Sequence, residues 1–573
     1  MQWKYMAFAT SAFAAFGAAN PVSAQQADTY ESAPELAANP AAIARLIEVW
    51  GFVKYHHPHA LDGRLAMDPE FFALYPQIRA ASSLEKADRV LTDWIERIGT
   101  GPACDPCASE PDPAQVAIAS TTPVWLAGLP PELSEGLQAI YANRGAAQAN
   151  FQIAKDPGVG NPAFANEPDY THSGRTGEEA VHLLALARQW NLLRYWFPYR
   201  DVMDRQPAAL LPEAVSDFLA AQTDIERQQA RLRFAAAADD GHVNIMAYRE
   251  AGTPPGECAS PYGWQFVEGR LALDGRAAEG ADALQRGDVV TAIDGVSLDE
   301  LADRYGSMIA ASNTSWRERM LAMVLARGAC GERQIAVERG GASMTVAIEW
   351  LPASETKISP YPAFGREGEV IQQIDDITYV RFADLKRDQL PDLLEAANAG
   401  DGLILDMRGY VSDFLVFELG KLLVDEPTEF VTFTAADVSA PGRFLWGARP
   451  VLQPDPQGRS ISVPVVAIVN AATVSSPEYH AMAWRAAGVT IVGSTTAGAD
   501  GNVSTLPLPD GAGMRFSGIG VYYPDQSPTQ RIGIVPDVMA APTLAGLAAG
   551  RDEQLELAVE QIARERAAMG EGG

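Results

Sequence analysis

Two adjacent serines follow an apolar run in the last quarter of this 573-residue chain. Residues 466–469 read VAIV, which predicts a buried strand, and a loop of small residues leads from it to Ser475 and Ser476. Pro477 suits the first turn of a helix, so both hydroxyls are expected where a strand turns into a helix. The positive end of a helix favours an acyl-transfer nucleophile at that place. A serine there is also the usual N-cap, and the pattern alone leaves both interpretations open.

The residues around the two serines resemble the C-terminal-processing (tail-specific) serine peptidases and the catalytic core of the tricorn protease. Those families carry a nucleophilic Ser three residues before a Glu, then a helix, a strand ending in Gly, and a later G-[IV]-x-P-D. This chain has Ser475, Glu478, a predicted strand at 489–493, and GIVPD at 533–537. The resemblance implies that Ser475 is the nucleophile.

The resemblance also implies a general base. In the tail-specific branch the base is a Lys in a G-K-G element, but Ala499 stands at that place in TTAGADG. In the tricorn-like branch it is the His of a D-G-H element, which matches His242. A hydrogen-bonded histidine that closes a helix is the structural alternative for His242. His480 lies about 140° around the helix from Ser475, which makes it a poor base.

The group that should orient the base departs most from the family pattern. In the tricorn-like branch a Glu, three residues before the Gly of G-[IV]-x-P-D, acts through a Ser beside the His. This chain has Gln530 and Gly241 at those two places. A Gln can hydrogen-bond to an imidazole, but it lacks the charge that stabilises imidazolium. Gln530 is the candidate for the group that orients His242. The alternatives are that Asp239, Asp240 or Asp500 contributes, or that the enzyme is feeble.

An oxyanion hole needs two N–H donors that converge on the developing charge. The candidates are the N–H of Ser476 and that of Gly409, which ends the run DMRG after a predicted strand. DMRG matches the first half of the corresponding family loop, although the usual Gly-Gly continuation is absent. Asp406 and Arg408 are expected to brace this loop.

The pattern and the resemblance together predict an α+β multidomain fold. LQRGDVVTAIDGVSL resembles the PDZ domains of secreted proteases. Two helical segments share a Trp-basic-Tyr-Pro ending, which predicts aromatic packing in a helical core. The predicted parts are a signal peptide (1–24), a flexible leader (25–40), a helical N-terminal region (41–256) with a loop-rich excursion (101–180), a PDZ-like domain (257–355) and a ClpP/crotonase-like α/β catalytic core (366–573).

Composition bounds location and partners. The apolar stretch before Ala24 predicts cleavage after Ala24 and export to the periplasm or medium, without a stable membrane anchor. The net charge of −29 argues against nucleic-acid binding. Four cysteines in an exported protein predict disulfides, and the pairing stays open at this point; Cys104–Cys107 would close a tight local loop and Cys258–Cys330 would tie one domain. A redox or metal role for CDPC, and a metal role for YHHPH at 55–59, are the alternatives.

These features predict an exported serine peptidase that acts on peptides or unfolded proteins and needs no metal or organic cofactor. Two alternatives remain open at this point. One is a catalytically degenerate peptide-binding protein on the same scaffold, and the other is a serine hydrolase of a non-peptide ester.

Overall fold

The computed structural model describes residues 39–146, 149–174, 178–246, 256–359 and 364–571. The predicted signal peptide and nearly all of the predicted leader lie outside the described residues. Within these segments, no helix is both long enough and apolar enough to cross a membrane.

Helices make up most of the N-terminal part. They are α1 (Pro40–His56), α2 (Pro58–Leu61), α3 (Met67–Arg79), α4 (Leu84–Ile98), α5 (Thr122–Ala127), α6 (Pro131–Ala142), α7 (Glu179–Tyr195), α8 (Pro207–Ala220) and α9 (Asp224–Ala236). Short strands accompany them: β1 (Val116–Ile118), β2 (Ala154–Lys155), β3 (Pro162–Ala163) and β4 (Asn244–Met246). α1 and α7 are buried on nearly all sides, which places them at the centre of the helical part.

The repeated Trp-basic-Tyr-Pro endings belong to α1 and α7. Trp50 and Trp190 are buried, and the rings of Tyr55 and Tyr195 meet edge to face with centroids 5.7 Å apart. The prediction that these aromatic residues form a helical core is confirmed.

A section with mostly antiparallel strands follows. Its elements are β5 (Cys258–Ala259), β6 (Tyr262–Val267), β7 (Arg270–Ala277), β8 (Val289–Ile293), β9 (Val296–Ser297), α10 (Leu298–Gly306), α11 (Thr314–Leu325), β10 (Arg327–Gly328), β11 (Gly331–Arg339), β12 (Ala342–Pro352) and α12 (Ala353–Thr356). The strand order is β10-β5-β12-β11-β8-β7-β6, with β9 paired to β8. The expectation of disulfides is confirmed, and the structure gives the pairing as Cys104–Cys107 and Cys258–Cys330, so the metal alternative for CDPC is wrong.

The C-terminal part alternates strands and helices. Its elements are β13 (Ile371–Ile374), β14 (Ile377–Arg381), α13 (Leu390–Ala399), β15 (Gly402–Asp406), α14 (Val416–Gly420), β16 (Thr428–Glu429), β17 (Thr432–Ala436), β18 (Phe444–Trp446), β19 (Val451–Leu452), β20 (Val465–Val469), α15 (Ser476–Ala486), β21 (Thr490–Gly493), β22 (Val503–Pro507), β23 (Gly513–Ser517), β24 (Gly520–Tyr522), β25 (Val538–Met539), α16 (Leu544–Ala548) and α17 (Glu553–Glu571).

The main sheet of this part has the order β13-β14-β15-β20-β21-β25 and is parallel from β14 onward. β20 is buried on both faces because its side chains alternate between two layers. Ala467 and Val469 pack with Trp484 of α15, whereas Val466 and Ile468 pack with Ile562 of α17. The predicted α/β character of this part is confirmed.

A second, three-stranded sheet joins distant parts of the chain. β23 lies between β22 and β4 and pairs antiparallel with both. β4 directly follows the helical N-terminal region, so this ladder fixes that region to the C-terminal part. Residues 38–573 form one compact unit, and the predicted domain boundaries at 256 and 355 stay predictions.

Candidate active site

Ser475 lies at the turn between β20 and α15, immediately before the first residue of the helix. Its φ is +64°, a left-handed conformation that is uncommon for a residue with a Cβ. Two hydrogen bonds hold this turn. The Ser475 N–H donates to the carbonyl oxygen of Ala499 at 2.9 Å and to Oε2 of Glu478 at 3.0 Å. Backbone strain that is fixed by its surroundings is typical of functional positions.

Glu478 ties the turn to the loop that follows β21. Its side chain is fully buried and also accepts hydrogen bonds from Thr496 Oγ1 at 2.5 Å, from the Gly498 N–H at 2.8 Å and from the Ala499 N–H at 3.1 Å. Burial raises the pKa of Glu478, and the hydrogen bonds oppose that rise. The sequence marks Glu478 only by its spacing from Ser475, whereas in the structure its carboxylate holds the backbone of Ser475.

Two backbone N–H groups that the sequence names as candidate anion donors belong to Ser476, the first residue of α15, and to Gly409. Among the described residues, neither the Ser476 N–H nor the Gly409 N–H donates a hydrogen bond. Gly409 lies in the loop after β15, and Thr473 Oγ1 connects the two loops by donating to the carbonyl of Met407 at 2.9 Å. These are the two donors that the sequence predicts for an oxyanion hole.

Asp406 and Arg408 brace the Gly409 loop, as predicted. The Arg408 guanidinium donates to both carboxylate oxygens of Asp406, at 2.9 Å and 2.7 Å, and reaches Asp552 at 2.7 Å and 2.8 Å. The Tyr379 hydroxyl completes the Asp406 contacts at 2.7 Å. A bidentate buried pair of this kind holds a loop in one geometry.

His480 also has a structural role. Its Nδ1 lies 2.7 Å from the carbonyl oxygen of Ser476, and its Nε2 accepts the Leu415 N–H at 3.1 Å. Burial lowers the pKa of His480 to about 4. Both ring nitrogens are therefore committed to backbone groups, which agrees with the prediction that His480 is not the base.

His242 is positioned by the β4–β23 ladder. Asn244 pairs with Arg515 in this ladder, so the same register continued by two residues sets His242 opposite Ser517. Side chains directly opposite each other lie on one face, and the imidazole Nδ1 is 2.9 Å from Ser517 Oγ. The Nε2 atom is shielded from solvent and has no hydrogen-bond partner among the described residues. Burial lowers the pKa of His242; the Asp240 charge opposes this shift and Arg515 adds to it.

Gln530 contacts a different group from the one expected. Its Nε2 donates to Asp240 Oδ1 at 3.2 Å, and within the described residues it makes no hydrogen bond to the imidazole. Asp240, two residues before His242, is fully buried. The N–H of Gly241, the residue between them, donates to Ser312 Oγ at 2.6 Å.

Ala499 connects the two halves of the site. Its carbonyl accepts the Ser475 N–H, and its Cβ would lie 3.1 Å from a Cβ placed on Gly241, next to His242. No hydrogen bond joins Ser475 Oγ to His242 in the described part of the chain. Hydrogen bonds between catalytic groups are commonly long before substrate binds.

His56, the last residue of α1, and His57, the residue after it, bond to the backbone. His56 Nδ1 lies 2.9 Å from the Phe52 carbonyl oxygen, and His57 Nε2 lies 3.0 Å from that of Gly99. The described residues contain no group of three or more His, Cys, Asp or Glu side chains arranged to hold a metal ion.

Comparison with known proteins gives one family. Residues 376–540 match the model of peptidase family S41, a segment that contains Ser475, Gly409 and Gln530 but not His242. No curated protein matches the chain significantly.

Solved structures give the fold. Mature CPAF complexed with lactacystin is 14% identical, with 68% of this chain and 98% of that chain covered and a TM-score of 0.52. A second structure of mature CPAF is 15% identical, with 66% and 96% covered and a TM-score of 0.50. The photosystem II D1 C-terminal processing protease is 17% identical, with 66% and 98% covered and a TM-score of 0.37. At these identities the two CPAF structures indicate a shared fold.

Proposed function

We propose that this chain, whose residues 376–540 form a domain of peptidase family S41, is a serine-type peptidase that hydrolyses peptide bonds through an acyl-enzyme on Ser475, with His242 as general base. The observation that carries the proposal is the arrangement around Ser475. Ser475 stands at a strained strand-to-helix turn, the loop of Gly409 is joined to the loop before Ser475 by the hydrogen bond from Thr473 Oγ1 to the Met407 carbonyl, and His242 Nε2 has no hydrogen-bond partner among the described residues.

The proposed reaction follows the usual steps of acyl transfer. Ser475 Oγ attacks the scissile carbonyl as His242 Nε2 takes its proton, and the N–H groups of Gly409 and Ser476 stabilise the resulting oxyanion. The protonated imidazole then gives that proton to the leaving amine as the C–N bond breaks. Water, deprotonated by His242, hydrolyses the acyl-enzyme and restores the Ser475 hydroxyl.

The surroundings of Ala499 support a Ser–His site over a Ser–Lys site. Ala499 stands where the tail-specific branch has its lysine, and it is fully buried. The segment carrying His242 approaches it closely at Gly241. A histidine base therefore fits the space next to Ser475.

The antiparallel section fits the proposal of a PDZ-like module that receives extended peptide. β6 is an edge strand of its sheet, and α11 packs along it. An exposed edge beside a helix accepts an added strand, whose backbone groups complete the ladder. The start of α11 also contacts the catalytic loops, since Asn313 Nδ2 donates to the Thr496 carbonyl at 2.8 Å. Peptides and unfolded proteins are the proposed substrates.

Export to the periplasm or medium is part of the proposal. The apolar N-terminal segment supports it, and so do the disulfides Cys104–Cys107 and Cys258–Cys330, since such bonds persist in oxidising compartments.

The test is intact mass after exposure to a fluorophosphonate probe. We expect one adduct on wild type, none on Ser475→Ala, and strongly slowed labelling of His242→Ala. The exposed Ser460→Ala is the matched serine control and should label like wild type. Full-rate labelling of His242→Ala would reject His242 as the base.

Two further outcomes separate the alternatives. A wild-type protein that stays unlabelled, with and without added unfolded casein, would favour the peptide-binding alternative. A labelled protein that cleaves p-nitrophenyl esters but not fluorescent casein would favour the ester hydrolase.

A further inference from the structure

Asp240 is a buried carboxylate without a cationic side chain beside it. Its side chain is fully inaccessible, and among the described residues its one ion-pair contact is to His242, with 3.9 Å between Oδ1 and Nδ1. Burying a carboxylate is costly unless hydrogen bonds compensate for the lost water. Asp240 therefore needs its own explanation.

Four hydrogen bonds converge on this carboxylate. Oδ1 accepts from the His242 N–H at 3.0 Å, from Ser517 Oγ at 3.1 Å and from Gln530 Nε2 at 3.2 Å, and Oδ2 accepts from the Ser517 N–H at 2.9 Å. Three of these donors belong to the base or to the residue opposite it on β23. The carboxylate is thus built into the support of His242.

The direction of each hydrogen bond fixes the proton on the imidazole. An ionised carboxylate only accepts, so the Ser517 hydroxyl must donate its single proton to Asp240. The Ser517 oxygen is then left to accept, and its neighbour at 2.9 Å is His242 Nδ1, which must carry a hydrogen. In the neutral imidazole this leaves the Nε2 lone pair free to receive a proton.

We infer that Asp240 and Ser517 are the positioning residues of this active site: the Asp240 carboxylate acts on His242 through the Ser517 hydroxyl, and Gln530 acts only by holding Asp240. This inference rests on the proposed function, in which His242 is the base. Asp240, two residues before His242, supplies the negative charge that Gln530 cannot supply. Ser517, at the end of β23, supplies the hydroxyl that Gly241 cannot supply.

The arrangement has a definite consequence for the chemistry. When Nε2 takes the Ser475 proton, the imidazole becomes a cation, and the Asp240 charge stabilises it through the polarised Ser517 hydroxyl. The Nδ1 hydrogen stays on the imidazole throughout. The transferred proton moves only from Ser475 to Nε2 and then to the leaving amine.

The first variants remove one member each. We expect Asp240→Asn to slow fluorophosphonate labelling of Ser475 by roughly 100-fold to 10,000-fold, because an amide lets the imidazole adopt the wrong tautomer. Ser517→Ala should slow labelling about 10-fold to 100-fold, and Ser517→Thr should recover most of the rate because it keeps the hydroxyl. For casein hydrolysis, kcat should fall while KM stays within about threefold.

Asp239→Asn is the matched control. Asp239 is the preceding acidic residue, but its carboxylate accepts from the Asp204 N–H and from Arg531 rather than from the His242 support. Its φ of +53° is one that Asn tolerates, so the control should fold and label like wild type.

Two readouts distinguish positioning from loss of structure. The pH at which labelling is half-maximal should move to lower pH in Asp240→Asn, because the Asp240 charge raises the pKa of His242. Nitrogen-15 NMR of the imidazoles should show His242 protonated at Nδ1 in wild type and not uniquely so in Ser517→Ala.

The NMR measurement needs no activity, so a failure of the inference is distinguishable from a failure of the proposed function. A Ser517→Ala protein with the wild-type labelling rate, pH profile and His242 tautomer would overturn the relay while the peptidase proposal stands. A wild-type protein with Nδ1 unprotonated would overturn the relay even if Ser475 proved unreactive.

Discussion

By the resemblance to the tricorn-like branch, Gln530 stands where a glutamate is expected, and its contact with Asp240 determines what a glutamate would do there. Gln530 is buried, and its amide lies 3.2 Å from Asp240. A Glu at this position would face a second buried carboxylate, and two such groups cannot both be ionised without a large cost. The substitution that restores the family pattern is therefore expected to harm this protein.

We predict that Gln530→Glu lowers kcat/KM on casein about tenfold or more and lowers the thermal midpoint. The matched double variant, Asp240→Asn with Gln530→Glu, carries a single negative charge again, so it should regain stability but not activity. A Gln530→Glu variant faster than wild type would indicate that position 530 acts directly on His242.

Glu478 offers a second prediction at this scale. It accepts hydrogen bonds from Ser475, Thr496, Gly498 and Ala499, and an amide offers one acceptor oxygen where the carboxylate offers two. Glu478→Gln should lower the free energy of unfolding by roughly 3 kcal/mol and abolish Ser475 labelling, because donors are left unpaired in a buried site. Urea unfolding measures the first effect, with the exposed Glu426→Gln as control. A loss below about 0.5 kcal/mol would contradict this role for Glu478.

At the scale of elements, the sequence predicts what local patterns specify. The two strands expected at 466–469 and 489–493 are observed at Val465–Val469 and Thr490–Gly493, because each is a short apolar run next to Gly or Pro. The helix after Ser475 is also correctly predicted, since Pro477 and the apolar residues that follow mark its start. Ser475 and Ser476 lie at the start of this helix and Gly409 lies in the loop after β15, so the local setting of the proposed nucleophile and oxyanion donors could be predicted too.

The contacts that hold His242, the proposed base, could not be predicted, because they depend on pairing between remote segments. Neither NIM at β4 nor GMRFS at β23 indicates that these strands are partners. Without that register, Ser517 carries no signal, and Asp240 is one of three acidic residues that fit equally well. The resemblance gave Gln530 a position in the motif, but the sequence does not show which side chain lies next to it in space. For this reason its observed contact with Asp240 differs from the expected contact with His242.

The first turn of α11 allows a test of coupling between elements. Asn313 Oδ1 caps this helix by accepting the Trp316 N–H at 3.0 Å, while its Nδ2 donates to the Thr496 carbonyl. Serine is an equally good cap but is too short to reach Thr496. We predict that Asn313→Ser lowers kcat/KM about threefold to tenfold with little change in thermal midpoint, because the loop that backs Ser475 is less fixed.

Asn313→Ala is the companion variant. It loses both contacts, so it should match Asn313→Ser in activity and also lose about 1 kcal/mol of stability through the missing cap. Wild-type kcat/KM in Asn313→Ser would show that the Thr496 contact does not influence the site.

At the scale of the whole molecule, buried histidines link folding to pH. Burial lowers the pKa of His56 to about 3, that of His480 to about 4 and that of His182 to about 2. In the unfolded chain an ordinary histidine has a pKa of about 6.5. Below that pH the unfolded chain binds protons at these histidines, whereas the folded protein does not. The free energy of unfolding therefore decreases as the pH falls. Buried carboxyls such as Glu478 contribute with the opposite sign, so a single-site difference is the informative measurement.

His182 is the group to remove, since it lies far along the chain from the site and stacks on Phe218 with centroids 4.4 Å apart. Leucine has a similar volume and does not titrate. We predict that the stability of His182→Leu relative to wild type increases by about 1.4 kcal/mol for each pH unit between 6 and 4, because the variant no longer loses stability through protonation of the unfolded histidine. Urea unfolding at several pH values measures this slope, with the exposed His172→Gln as control. A difference that stays constant over this range would mean that His182 is protonated equally in both states, and therefore that water reaches it between α7 and α8.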